Sequence, residues 1–199
     1  MNNLAKVLLI TTFIFIAACT TQKQNDIQFD SPIENSETIT IPVTAYIIKA
    51  NHLTSNRDEQ NLLALFEQVN NIWNQANMQI DIKEIKILNT EDSVISSALK
   101  GNSVQLINAA YNPNSINIYF ASTIGANGIA MSNKIAFIAD ITTVNDFRAT
   151  SHEIGHILGL RHVPNNAQLM ARGVNGIILT ESEIAITRNN ANLLFNRDL

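Results

Sequence analysis

The spacing of apolar residues along the first part of the chain predicts a strand followed by a long helix. Residues 39–49 are rich in Ile, Val and Thr and are typical of a strand, in which Pro42 would mark an edge position or a bulge. Apolar residues then recur at helical spacing over residues 62–76. Asn56 and Glu59 have the spacing of a capping box, so we expect the helix to begin there.

Shorter elements occupy the middle of the chain. Residues 78–87 alternate between apolar and polar positions with a one-residue slip, which a bulge at Lys83 and Glu84 would explain. Residues 91–111 have a helical pattern that a Gly-Asn pair interrupts, and residues 116–120 alternate as a short strand. The middle of the chain is therefore predicted to mix strands with short helices.

The second half of the chain is predicted to end in two helices. Residues 125–139 have the pattern of a loop followed by a strand or a hairpin, and a helix is expected to begin at Asn145 or Asp146. A turn cluster at residues 173–176 precedes a capping box that opens at Thr180, which indicates a final helix. This order of elements, without an internal repeat, predicts an α+β fold.

Length and composition narrow the possible classes of protein. With 199 residues the chain is expected to form one domain and a leader, which is large enough for one sizeable core. Charged residues make up 15% and the net charge is −4, so no basic face indicates nucleic-acid binding. The single cysteine excludes an internal disulfide framework.

Three of the four histidines lie within one eleven-residue stretch, HEIGHILGLRH. His152 and His156 are four residues apart, so on a helix their imidazoles project from one face and can bind one metal ion. Gly159 can adopt the left-handed conformation that ends a helix sharply, after which the chain can return His162 as a third ligand. Three histidines leave the fourth zinc position open for water, which is typical of a catalytic site.

Glu153 directly follows the first histidine of this stretch. Its carboxylate could reach a zinc-bound water, accept its proton and pass that proton to the leaving amine. Zinc would lower the pKa of that water towards about 7 and polarise the carbonyl under attack. The alternative is a helix whose histidines have this spacing by chance. The additional histidine, Glu and Gly in the same window argue against it.

This stretch resembles the extended zinc signature of the metzincin metallopeptidases. Met170 lies eight residues after His162, an interval similar to that before the Met-turn methionine of the matrixin branch. The resemblance covers residues 151–173 and is closer to the clan than to the branch, because Arg172 stands where matrixins usually have proline. It implies a twisted mixed β-sheet, a metal-bearing active-site helix, a Met-turn that supports that helix from below, a C-terminal helix and one catalytic Zn²⁺.

The resemblance also implies an upper rim for the substrate cleft. In metzincins this rim is the edge strand of the sheet, antiparallel to the bound peptide, and Gly128, Ile129 and Ala130 occupy the corresponding place in the order of elements. Such an edge can capture a peptide or protein substrate by strand addition. The alternative is an ordinary edge strand without a role in binding.

The N-terminus has the features of a targeting signal. Residues 1–18 read as a signal peptide whose apolar run is too short to span a bilayer. It ends before Cys19 in a pattern that resembles the bacterial lipoprotein signal, which implies lipidation of this cysteine; the alternative is an ordinary secretory signal. Residues 19–37 are expected to be a polar tether and residues 38–199 the catalytic domain.

The leader predicts a cellular location, and the histidine motif predicts an activity. We expect a monomer that is lipid-anchored in the bacterial cell envelope, with the outer membrane favoured because Thr20 is not aspartate, or otherwise a secreted protein. The expected activity is zinc-dependent hydrolysis of peptide bonds inside a chain. Two alternatives remain open: a catalytically silent metal- or peptide-binding lipoprotein, and a zinc hydrolase acting on cell-wall peptides.

Overall fold

A computed structural model describes residues 37–131 and 134–195 of the chain. The predicted signal peptide, Cys19 and the tether up to residue 36 lie outside the described residues, so the predicted domain boundaries remain predictions. Among the described helices, none is long and apolar enough to cross a membrane.

Strands and helices are interspersed along the described part of the chain. In chain order they are β1 (Ile39–Lys49), α1 (Glu59–Trp73), β2 (Met78–Asn89), α2 (Asp92–Leu99), α3 (Val104–Ala109), β3 (Ile116–Ala121), β4 (Gly128–Met131), β5 (Ile135–Ala139), α4 (Asp146–Ile157) and α5 (Glu181–Phe195). This content confirms the predicted α+β class.

The strands form one mixed sheet in the order β2-β1-β3-β5-β4. Strand β1 is parallel to β2 and β3, and β3 is parallel to β5. Only β4 is antiparallel to its neighbour, β5, and it forms one edge of the sheet. Every residue of β3 and β5 is buried, whereas every residue of β4 is half-buried. The antiparallel β4–β5 pair corresponds to the hairpin, one of the two alternatives predicted for residues 125–139.

Alternate side chains of the inner strand β1 contribute to two separate cores. Val43, Ala45 and Ile47 pack in a cluster with the apolar residues of α1, α4 and α5 on one face of the sheet. Tyr46 and Ile48 point to the opposite face, where they pack with residues of α2 and α3. Because β1 is inner and covered on both faces, it has the continuous apolar run expected of such a strand.

The register between β1 and β2 shifts where the sequence predicts a bulge. Val43 pairs with Ile82 and Thr44 pairs with Glu84, so Lys83 is the extra residue. Pro42 lies in an inner strand, but the pairing with β3 begins only at the next residue. A proline, which has no N–H to donate, is tolerated there because β1 has a single neighbour at that point.

The predicted capping box at the start of α1 is wrong. The helix begins two residues later than a cap at Asn56 would require, and its N-cap is Asp58. The Asp58 carboxylate accepts a hydrogen bond from the Asn61 N–H at 2.7 Å. The Asn61 side chain in turn accepts one from the Asp58 N–H at 3.3 Å. The Asn56 N–H donates to the carboxylate of Asp140, so it is not free to donate to Glu59 as the predicted capping box requires.

Other predicted helix boundaries agree with the structure. The Gly-Asn pair at residues 101–102 separates α2 from α3. At the start of α5 the Thr180 N–H donates to Glu183 Oε2 at 2.8 Å, and the Glu183 N–H donates to Thr180 Oγ1 at 3.3 Å. This reciprocal pair is the capping box that the sequence predicts.

Candidate metal centre

Helix α4 presents the first two histidines and then ends abruptly. Gly159 has φ of +90°, and the N–H groups of Gly159 and Leu160 bond back to the carbonyls of His156 and Gly155. A Cβ on Gly159 would lie 2.2 Å from Nδ2 of Asn190, which donates to the Leu158 carbonyl. Both the left-handed backbone and this close approach therefore require glycine.

The turn after α4 brings His162 to the histidines of the helix. Its Nε2 lies 3.2 Å from Nε2 of His152 and 3.1 Å from Nε2 of His156. One ligand atom from each of the three residues lies within 4.8 Å of the others. A tetrahedral zinc ion bound at about 2.0–2.1 Å separates its nitrogen ligands by about 3.3–3.4 Å. The spacing of these nitrogens therefore fits one such ion.

The outward nitrogens of two rings fix the tautomers. His152 Nδ1 lies 2.8 Å from the Leu169 carbonyl, and His156 Nδ1 lies 2.9 Å from the Leu160 carbonyl. A carbonyl can only accept, so each Nδ1 carries the proton and each neutral ring directs the lone pair of Nε2 towards the other histidines. Converging lone pairs repel one another unless a cation lies between them, which is the arrangement of a metal site.

The surroundings of two of the candidate ligands favour the neutral state that a metal requires. Burial lowers the pKa of His152 to about 4, and the charges of Arg148 and the neighbouring histidines act in the same direction. The pKa of His162 is also lowered, first by burial and then by the charges of His156 and Arg172. Neutral imidazoles have a lone pair for the metal, so these shifts favour metal binding at neutral pH.

Glu153 is held between the helix and the edge strand. Its side chain is 6% exposed and accepts a hydrogen bond from the backbone of Ala130 in β4. Burial raises the pKa of Glu153 to about 7, which the Ala130 hydrogen bond and the Arg148 charge oppose. A Cβ on Gly128 would lie 2.5 Å from Glu153 Cγ, so the glycine of β4 makes room for the carboxylate.

Met170 lies beneath the metal-bearing helix. It is fully buried, and a Cβ on Gly155 would come within 2.7 Å of its Sδ. Gly155 lies between the two helical histidines in sequence, so the methionine supports the helix directly under the candidate ligands. This position corresponds to the one that the resemblance implies for the Met-turn.

The predicted rim residues lie beside Glu153. Gly128, Ile129 and Ala130 belong to β4, whose second edge pairs with no strand among residues 37–131 and 134–195. The Asn127 carbonyl accepts from the Ala139 N–H, so the backbone groups of Asn127 point towards β5. Because these directions alternate along a strand, the backbone groups of Gly128 and Ala130 point outward.

Arg148 is a residue of this site that no sequence motif indicates. This residue lies one helical turn before His152 and is only 3% exposed. The usable signal was its position four residues before His152, which places an arginine on the same helix face as the first ligand. Arginine is seldom fully buried without a partner, so such a residue is expected to have hydrogen-bond acceptors nearby. What Arg148 contacts lies more than twenty residues away in sequence, and no local pattern indicates that.

Comparisons with known proteins support the fold. No family model and no curated protein matches the sequence. Among solved structures, archaemetzincin from Methanopyrus kandleri is similar over 78% of this chain and 98% of that chain, with a TM-score of 0.57 and 11% identity. The chain is therefore similar in fold to archaemetzincin. This fold and a histidine group that can hold a metal ion occur in one chain.

Two further solved structures are similar to this chain. A chain of a chaperone–substrate complex matches 80% of it with a TM-score of 0.52 and 16% identity. Metalloproteinase-II from Bacteroides fragilis matches 78% of it with a TM-score of 0.49 and 15% identity. The matched region spans 35% of the first of these chains and 55% of the second, so both are considerably longer than the part they share.

The three histidines predict the metal content of the purified mature protein. Metal analysis is expected to give close to one zinc ion per chain, and a His152→Ala, His156→Ala double variant is expected to lose it, because one remaining imidazole cannot hold the ion. His52→Ala is the matched control, since His52 lies outside this group. Stoichiometric zinc in the double variant would contradict the assignment.

Proposed function

We propose that the protein is a zinc-dependent endopeptidase with His152, His156 and His162 as the ligands of one zinc ion. Three neutral imidazoles suit zinc and leave room for a further ligand. When bound, zinc supplies a water of lowered pKa and polarises the scissile carbonyl. Proton transfer and substrate binding are then carried out by residues of the chain itself.

The observation that supports catalysis most strongly is the environment of Glu153. A general base is most effective when its pKa lies near the working pH, and burial raises the pKa of this carboxyl to about 7. A cation held by the histidines would lower that value and keep the carboxylate ionised. Glu153 would accept a proton from the attacking water and donate it to the leaving amine. A protein that only binds metal or peptide needs no such group.

The outer edge of β4 is the proposed substrate-binding surface. A peptide added antiparallel to this edge would bond to the outward N–H and carbonyl of Gly128 and to the outward carbonyl of Ala130. The Ala130 N–H already donates to Glu153, so the carboxylate is fixed at the edge where the peptide would lie. This arrangement brings a main-chain substrate and the proposed base together.

We place the protein nearest the matrixin branch of the metzincins. The support is the eight-residue interval between His162 and Met170, together with the buried position of Met170 under α4. Arg172 departs from the matrixin pattern. It is exposed and close enough to lower the pKa of His162, so a positive charge lies near the third candidate ligand.

Digestion of a fluorogenic peptide library tests the proposal. We expect cleavage within peptides, loss of cleavage in the presence of a chelator and recovery on addition of zinc. Parallel assays on denatured protein and on purified peptidoglycan separate a general endopeptidase from a hydrolase of cell-wall peptides. A zinc-loaded protein that cleaves no member of a broad library would favour the catalytically silent binding protein instead.

We propose that lipid on Cys19 anchors the protein in the bacterial cell envelope, at the outer membrane if the host has one. One acyl chain binds a membrane only marginally, whereas a multiply acylated cysteine binds stably. Cys19→Ser is therefore expected to move the protein to the soluble fraction or to leave it unprocessed. Fractionation with immunodetection measures this, with Thr20→Ser as control. Normal processing and unchanged membrane association of Cys19→Ser would reject the anchor.

A further inference from the structure

Arg148 is a buried cation on the helix that bears the candidate ligands. It lies one turn before His152 and is 3% exposed. No carboxylate in the described part of the chain lies within salt-bridge distance of its guanidinium. Glu153 acts on it electrostatically from beyond that distance. A buried charge without a close counter-ion is costly unless it is well hydrogen-bonded, and an apolar residue would serve packing better. The position therefore calls for a reason beyond core packing.

Among the described residues, the hydrogen-bond acceptors of the guanidinium are backbone carbonyls of the segment that follows the third histidine. Its Nε donates to the Gly176 carbonyl at 3.3 Å. One terminal nitrogen donates to the carbonyls of Leu169 at 2.6 Å and of Ala171. Leu169 and Ala171 flank Met170, so Arg148 holds the backbone on both sides of that methionine. The planar fork of arginine makes these directions rigid.

One of these carbonyls also orients a candidate ligand. The Leu169 oxygen accepts from His152 Nδ1 at 2.8 Å as well as from Arg148, and a carbonyl has two lone pairs for two such donors. The hydrogen bond to Nδ1 sets the ring orientation and tautomer of His152, so the position of this oxygen determines where Nε2 points.

We infer that Arg148 is a positioning residue of the metal centre: by holding the carbonyls of Leu169 and Ala171, it fixes both the Met170 turn and the ring of His152. The inference rests on the metal site of the proposed function and concerns metal affinity, not peptide cleavage. Partners one step removed from metal ligands typically change affinity by about 10–100-fold when they are mutated.

The chain offers a matched control in Arg188. This arginine, on α5, also donates to three backbone carbonyls, those of Ala76 at 2.8 Å, Asn77 at 3.0 Å and Glu37 at 2.9 Å. None of its acceptors belongs to the metal centre. Loss of either arginine thus removes three bonds to carbonyls, but only Arg148 shares an acceptor with a candidate ligand.

The test compares the zinc affinity of Arg148→Met and Arg188→Met in the mature protein. The zinc dissociation constant is measured by competition with a chromophoric chelator, at a temperature where circular dichroism shows both variants folded. We expect Arg148→Met to bind zinc about 10–100-fold more weakly than wild type, and Arg188→Met to stay within about twofold, even if both unfold at lower temperature.

Equal zinc affinities of the two variants, or of Arg148→Met and wild type, would overturn the inference. If Arg148→Met does not fold, Arg148→Lys keeps the charge but loses the Nε bond to the Gly176 carbonyl and the rigid donor directions of the guanidinium, and it should show the same direction of change. Wild-type affinity in the lysine variant would then overturn it. A wild-type protein that binds zinc but cleaves no peptide would refute the endopeptidase and leave this inference intact.

Discussion

Glu153→Gln is expected to give a folded, zinc-loaded protein that cleaves peptides at least about 100-fold more slowly than wild type. Glutamine keeps the size and hydrogen bonding of the side chain but cannot accept a proton, and the loss of general-base help costs about 10²–10⁴-fold in rate. The three histidines are unchanged, so kcat/KM should fall while zinc content is retained.

Two controls accompany this experiment: the zinc content of each protein and the cleavage rate of a second Glu→Gln variant. Glu181→Gln, an exposed carboxylate at the start of α5, is the control and should cleave at the wild-type rate. If Glu153→Gln lost zinc, the loss of the metal and the loss of the base would both lower the rate. The two proteins are therefore compared by kcat/KM at equal zinc occupancy. Wild-type cleavage by the zinc-loaded variant would show that Glu153 is not the base.

Gly128→Ala is expected to reduce cleavage by about 10–100-fold while the fold and the zinc survive. The added Cβ would lie 2.5 Å from Cγ and 2.8 Å from Oε1 of Glu153. Because these atoms belong to a side chain and not to the backbone, the Glu153 side chain is the part that must move. A displacement of about 1 Å at a reacting group can cost about 10²-fold in rate.

The thermal midpoint, zinc content and kcat/KM of Gly128→Ala are measured together. Unchanged midpoint and zinc with reduced kcat/KM would place the effect at Glu153. Cleavage at the wild-type rate would mean that Glu153 tolerates the displacement or does not act from the position in which the structure holds it.

Those parts of the fold and site that depend on short-range spacing could be predicted from the sequence. The His152 and His156 pair, the end of α4 at Gly159 and the capping box at Thr180 each follow from residues within one or two turns of one another. The bulge in β2 could also be predicted, because a one-residue slip in the alternation of apolar residues would otherwise move the later side chains to the other face of the sheet.

The parts that could not be predicted depend on residues that are distant in sequence. Arg148 acts through carbonyls 21 to 28 residues further along the chain. Asn56 was assigned as a helix cap because nothing local shows that its N–H is taken by Asp140, 84 residues away. Backbone carbonyls carry no sequence signature, so contacts of this kind become visible only once the chain is folded.

The two edges of the sheet differ in how they would resist joining another sheet. Strand β2 is long, but its bulge and its exposed charges, such as Lys83, Glu84 and Lys86, discourage the approach of a second strand. Strand β4 has no charged residue and only four residues, and one of its outward donors is occupied by Glu153. Its length limits the hydrogen bonds it can offer, so it can hold a short stretch of peptide yet gives little support to aggregation through edge-to-edge pairing.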